Sequence, residues 1–117
     1  MIPHESLIKK AYAAFNARNL EAVVQLMQPD VQWPNGWEGG YVQGQDAVRE
    51  YWTRQWIAID PHVEPVSFEE TIDNLIIVRV NQTIKDLQGN ILNDNMVTHV
   101  YTIKNALIAR MEIRSGV

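Results

Sequence analysis

His99 lies in an alternating run, Met96 to Ile103, and an imidazole can take or give a proton near neutral pH. It equally reads as a core histidine bonded to a polar neighbour. Gln82 is the polar member of an otherwise apolar alternating set, Ile76, Val78, Val80 and Ile84. It reads either as a hydrogen-bonding companion or as a strand-end residue reaching water. Asp60 and His62 flank Pro61, and such a pair could form an acid–base dyad in which the carboxylate orients the ring. The plainer reading is a helix stop, with His62 where a helix C-terminus favours positive charge. Tryptophans stand at 33, 37, 52 and 56. Trp52 and Trp56, four residues apart, share a helical face with Val48 and Tyr51, as core or as an aromatic wall for a flat apolar ligand. Trp33, Asn35 and Trp37 fall in a glycine-rich stretch and could line a pocket mouth. Trp37 also reads as a loop anchor or a dimer contact.

The rest of the chain narrows this chemistry. Its 117 residues suit one domain, 1–117, able to bury about two-thirds of its unfolded surface without a staple. Cysteine is absent, which removes disulfides, thiolate metal sites and cysteine nucleophiles, and fits a reducing compartment. Ten basic against fourteen acidic residues give a net charge of −4, with no basic stripe. A phosphate backbone would need one, so nucleic acid is not an expected partner. No apolar run approaches the roughly 18 residues of a membrane span, and Met1 to Lys10 lacks the apolar core of an export signal. A cytoplasmic location is therefore the expectation. The glycines at 36, 39, 40 and 44 fit neither dinucleotide nor phosphate-loop spacing, and no Gly-x-Ser-x-Gly elbow exists. The three histidines lack metal-ligand spacing, although Asp60, His62 and His99 could converge in space. Neither a metal nor a cofactor is expected.

Two periods organise the chain. Ile8, Ala11, Tyr12 and Phe15 recur at helical spacing, as do Leu20, Val23, Val24 and Met27 behind a candidate cap at Asn19 and ahead of Pro29. A third helix is expected from Asp46 to Ile59, stopped by Pro61. A short strand is expected near Val31–Trp33. The second half alternates with period two: Val63–Thr71, weakened at Pro65, then Leu75–Lys85, Ile91–Lys104 and Leu107–Arg114. Short connections favour an antiparallel meander, and helices followed by a meander indicate an α+β domain.

Three groups of residues resemble one superfamily. Ala11-Tyr-Ala-Ala-Phe-Asn16 with Asn19-Leu-Glu-Ala22 and Met27-Gln-Pro-Asp30 is similar to the opening helices of the nuclear transport factor 2-like superfamily, in its SnoaL-like and ketosteroid isomerase-like branch. Gly44-Gln-Asp-Ala-Val-Arg-Glu-Tyr-Trp52 resembles its third-helix entry, and His99-Val-Tyr-Thr-Ile103 with Leu107-Ile-Ala-Arg-Met111 its last hairpin. The resemblance spans nearly the whole chain. It implies a cone-shaped roll of three N-terminal helices packed on a strongly curved, mainly antiparallel sheet, the cystatin-like arrangement.

Function does not follow from that fold. Ketosteroid isomerases use an aspartate base and an oxyanion hole of a tyrosine and a protonated aspartate. Aligned on Phe15-Asn16, the family tyrosine falls on Ala11, with Tyr12 next door and rotated by about 100°. The strand that should carry the base reads Val31-Gln-Trp-Pro-Asn35, without a carboxylate. The second aspartate aligns with His99, a register that turns His99, Tyr101 and Ile103 inward. The resemblance thus implies a small-molecule pocket whose polar group is His99, with Tyr12, Tyr101 or Gln82 donating to a developing oxyanion. Phe15, Trp33, Asn35, Trp52, Trp56, Tyr101 and Met111 would contact a small apolar or aromatic ligand. The expected activity is cofactor-independent acid–base chemistry on an apolar carbonyl compound, such as isomerisation, cyclisation or dehydration. The alternative is a non-catalytic ligand-binding module or a homodimeric association domain. Members of the family commonly pair through the outer sheet face, so a homodimer through Met96, Thr98, Val100 and Thr102 is also expected.

Overall fold

The computed structural model describes residues 4–35, 38–71 and 75–115. Its elements follow in the order α1 (Glu5–Asn16), α2 (Leu20–Val24), β1 (Met27–Pro34), β2 (Tyr41–Gln43), α3 (Gln45–Ala58), β3 (Asp60–Glu70), β4 (Leu75–Lys85), β5 (Ile91–Lys104) and β6 (Leu107–Ser115). The six strands form one sheet in the order β2-β1-β6-β5-β4-β3. β3 to β6 are an antiparallel meander, while β1 joins β6 in parallel and β2 pairs antiparallel with β1. The helices cover one face. Ile8, Ala11 and Tyr12 of α1 and Val48, Tyr51 and Trp52 of α3 are buried in the same core as Ile76, Val78 and Val80 of β4. This is the α+β roll that the two sequence periods imply, because each helix stripe needs an apolar sheet face to bury it.

Three boundaries differ from the periodic reading, each through hydrogen bonds made at a distance. The second helix stops at Val24, and the chain is already a strand at Met27. There the amide of Ile108 bonds the Leu26 carbonyl at 2.9 Å, and the Gln45 carboxamide takes the carbonyls of Met27 and Val24 at 3.0 and 3.4 Å. Asn19 caps this short helix as expected, its Oδ1 accepting from the Ala22 amide. Pro29 lies where the β1–β6 register slips, the kind of irregular position at which a sheet tolerates proline. β2, inside the glycine-rich stretch, had no periodic signal. It leads to Gly44, whose φ of 92° lies in the left-handed region and whose amide bonds the Val31 carbonyl at 2.7 Å.

The third difference concerns β3, which starts at Asp60 rather than Val63 and is an edge strand. Asn16, at the end of α1, closes that edge. Its Nδ2 donates to the Val63 carbonyl at 2.7 Å, and its Oδ1 accepts from the Val63 amide at 3.0 Å. Arg18 reinforces the seam by donating to the Pro61 carbonyl and pairing with Asp60. One carboxamide thus satisfies both free backbone groups of a residue buried on its side-chain face. Asn16→Ala is expected to lower stability by about 2 kcal/mol, since it leaves two partly buried backbone groups unpaired. Urea denaturation checks this, and a loss below a few tenths of a kcal/mol would show that water replaces the carboxamide.

On the outer face of the sheet, Thr98 and Val100 are already buried within the single chain. In register they stand between Arg79 and Arg114 and between Ile77 and Glu112, so long side chains flank the uncharged stripe. Met96 is exposed at its end.

Candidate functional site

Between the helices and the concave face of the sheet lies a cavity of about 320 Å³, at the lower end of the usual range for small-molecule pockets. β5 supplies its polar centre. Alternation turns His99 and Tyr101 inward, with His99 opposite Val78 and Ile113 and Tyr101 opposite Ile76 and Met111. Tyr12 reaches them from α1. Its hydroxyl shares a hydrogen bond of 2.7 Å with His99 Nδ1, and the two rings stack with centroids 5.9 Å apart. The Tyr101 ring meets that of Tyr12 edge-on, with centroids 6.1 Å apart. The other imidazole nitrogen, Nε2, is buried and has no hydrogen-bond partner among the described residues.

Burial sets the protonation of all three groups. It lowers the His99 pKa to about 4, so the ring is neutral at pH 7. It raises Tyr12, with Tyr101 nearby adding to the effect, and it raises Tyr101, which the nearby Tyr12 hydroxyl partly offsets. Both tyrosines therefore remain phenols. No aspartate, glutamate, lysine or arginine lines the cavity among the described residues, so nothing in the wall compensates an imidazolium or a charged guest.

Aromatic rings form the remaining wall. Trp52 is the hub, with Trp33 at 5.1 Å, Phe15 at 5.2 Å and Trp56 at 6.0 Å between centroids, and Trp33 continues to Tyr101 at 6.3 Å. Asn93 and Ile113 are the exposed members of the lining, which places the open end beside them, with Gln82 and Ile84 on the neighbouring strand. Carboxamides gather at this end, and His99 with its tyrosines forms the other polar group.

The candidates from the sequence divide clearly. His99, Tyr12, Phe15, Trp33, Trp52, Gln82, Tyr101 and Met111 all line the cavity. Asp60 and His62 do not, and they form no dyad. Strand alternation turns Pro61 and Val63 inward and Asp60 and His62 outward, where Asp60 pairs with Arg18 and His62 with Glu64 at 3.2 Å. Trp56 lies behind the wall. It packs on Phe15 and Trp52, with the Arg18 guanidinium 5.1 Å over its ring, because one helical turn beyond Trp52 carries it past the cavity. Asn35 is engaged in its own loop, bonding the Glu38 amide at 2.9 Å and the Glu38 carboxylate at 3.0 Å. Trp37 lies outside the described residues. Asn93, missed in the sequence, shares the strand parity of His99 and Tyr101. Gln55 and Tyr51 share the stripe of Trp52, so alternation and helical spacing carried the signal for all three.

The six strands, three helices and partly open aromatic cavity of the described residues define the nuclear transport factor 2-like class of α+β pocket folds. A sequence profile of the SnoaL-like domain matches residues 8–111, and the chain belongs to that family. Among solved structures it is similar to TerC crystallised with polyporic acid, at 25% identity over 96% of this chain and 90% of that one, with a TM-score of 0.82. A nuclear transport factor 2-like protein of unknown function from Burkholderia pseudomallei is 23% identical, covering 97% and 91% of the two chains, with a TM-score of 0.83. RV0760c from Mycobacterium tuberculosis, in complex with estradiol-17beta-hemisuccinate, shares the fold at a TM-score of 0.84 and 17% identity over 100% and 96% of the chains. A search of curated proteins returned no match. Among the described residues no helix is long and apolar enough to cross a membrane, and no group of three or more His, Asp or Glu could hold a metal ion.

Proposed function

We propose that the chain binds a small, uncharged, largely flat molecule in this cavity and brings a carbonyl group of that molecule to His99. The observation that carries the reading is a charge-free aromatic cavity containing the Tyr12–His99 pair. The crystallisation of TerC with polyporic acid and of the mycobacterial protein with a steroid hemisuccinate supports a small-molecule guest, while its lack of charge rests on the lining alone. Native mass spectrometry of the freshly purified protein, with a gentle ramp to release bound compounds, is the first test, followed by titration with flat neutral aromatics. Trp33 and Trp52 line the cavity, so occupation is expected to change tryptophan fluorescence. A panel of such compounds that leaves the emission unchanged, with nothing released by the ramp, would sink the reading.

The catalytic form of the proposal is acid–base isomerisation, cyclisation or dehydration at His99, neutral at working pH, without a cofactor. His99→Ala is then expected to reduce turnover of an accepted substrate by about 100-fold or more. Unchanged turnover removes that assignment. The absence of a carboxylate from the described lining favours a second reading, in which the guest is held and released unaltered. A ligand recovered chemically intact after long incubation supports this second reading. Pairing of two copies through the outer sheet face belongs to the proposal as well, and sedimentation showing a monomer at micromolar concentration would count against it.

A further inference from the structure

The inward face of β4 and β5 changes character along its length. Around His99 and Tyr101 it is buried, with Ile76, Val78 and Val80 on β4 and Val97 on β5. Past that point the same face carries Gln82, half-buried, and the exposed Asn93 and Asn95. Gln82 and Asn93 line the open end of the cavity, and Gln55 of α3 belongs to the lining too. Gln55 donates to the Tyr51 hydroxyl at 3.3 Å, whereas Gln82 and Asn93 make no side-chain hydrogen bond among the described residues. Charged neighbours sit at the alternate strand positions. Asp94 accepts from the Thr83 hydroxyl at 3.4 Å, Glu64 pairs with His62, and Asp60 pairs with Arg18, all outside the lining. The mouth is therefore polar without being charged.

These carboxamides stand apart from the His99 group. Val78 is opposite His99, and Gln82 lies four residues further along β4, about 13 Å at the usual strand rise of roughly 3.3 Å per residue. One group on a guest cannot meet both. Each carboxamide offers an acceptor oxygen and N–H donors. We infer that the guest enters apolar end first and leaves in the mouth a neutral group that both donates and accepts hydrogen bonds, a hydroxyl or a primary amide, which Gln82 and Asn93 bind. The inference rests on the reading of the cavity as a ligand site and adds a second polar group to its guest. Gln82 is the specificity-determining member, because its half-buried position shields a hydrogen bond from water better than that of Asn93 does. A guest apolar at both ends covers the carboxamides and leaves them unpaired, which costs affinity. A carboxylate or an ammonium finds no opposite charge in the described lining.

The test uses the whole protein with fluorene and 2-hydroxyfluorene, both uncharged at pH 7, which differ in one hydroxyl at the end of a flat body. The hydroxyl compound is expected to bind about fivefold more tightly, the value of one net hydrogen bond. A hydroxyl pressed on an apolar wall without a partner would weaken binding instead. Nuclear Overhauser contacts are expected between the hydroxyl-bearing ring and the Ile84 methyls, and between the far ring and the Met111 methyl. Gln82→Met keeps the side-chain length but removes donor and acceptor, and it is expected to cut the preference to about twofold or less. Asn93→Val, at an exposed strand position, is expected to shrink it in the same direction and serves if the first variant folds poorly. Equal binding of the two probes overturns the inference, as does a preference that survives both substitutions. Contacts placing the hydroxyl beside Met111 overturn it too. In each of these cases fluorene still binds, and the ligand reading stands. Failure of both probes to bind removes the ligand reading and the inference with it.

Discussion

Between pH 7 and pH 4 the protein is expected to lose about 3 kcal/mol of unfolding free energy through His99 alone. Burial holds the folded-state pKa at about 4, against roughly 6.5 in an unfolded chain. Between those values the unfolded state binds a proton that the folded state refuses. The contribution is therefore fully present above pH 6.5, shrinks as the pH falls, and is gone below pH 4. No charged side chain lines the cavity among the described residues, so nothing there offsets an imidazolium. Tyr12 can accept one N–H from the charged ring, which leaves the charge desolvated. Urea denaturation of the protein and of His99→Gln at pH 7, 5.5 and 4.5 isolates the effect, because both share every carboxylate. The two stability curves are expected to converge toward acid, and parallel curves would mean that the ring is protonated freely in the fold.

Trp52→Ala is expected to cost about 3–5 kcal/mol, the usual range for removing a large buried aromatic side chain. Trp52 is 2% exposed, and its ring meets those of Phe15, Trp33 and Trp56 at once. Truncation removes the shared partner of three aromatics drawn from α1, β1 and α3, so packing is lost on both sides of the cavity. Such a loss is a large share of the 5–15 kcal/mol typical of a whole domain. Trp56→Ala, at a half-buried site outside the lining, is the internal comparison and is expected to cost clearly less. Thermal and urea unfolding of the two variants decide the matter. Equal costs would mean that Trp52 is not the hub of the aromatic cluster.

Much of the fold was legible because its signals are local. Period-two alternation over Leu75–Lys85 and Ile91–Lys104 delimits β4 and β5, and the set ending in Gln82 and Ile84 is the inward one. Asn19 marks its cap, and Val48, Tyr51 and Trp52 mark the buried stripe of α3. The same periodicities carry most of the cavity wall. Local signals failed where a distant group supplied the hydrogen bonds. Met27 belongs to a strand because Gln45 and Ile108 hold the backbone there, and β3 starts at Asp60 because Asn16 and Arg18 close its edge.

The sequence by itself determined the inventory: a cysteine-free α+β chain, helices before a meander, with aromatics and one histidine on faces that must be buried. Periodicity is a property of neighbours along the chain, so it survives in one dimension. The pairing of Tyr12 with His99, 87 residues apart, was decided by the tertiary structure alone. So were the dispersal of Asp60 and His62 to separate surface partners, Arg18 and Glu64, and the absence of charge from the described lining. Those features depend on how the helices lie across the curved sheet. That packing sets which side chains share a dry space, and hence the pKa of the imidazole that they enclose.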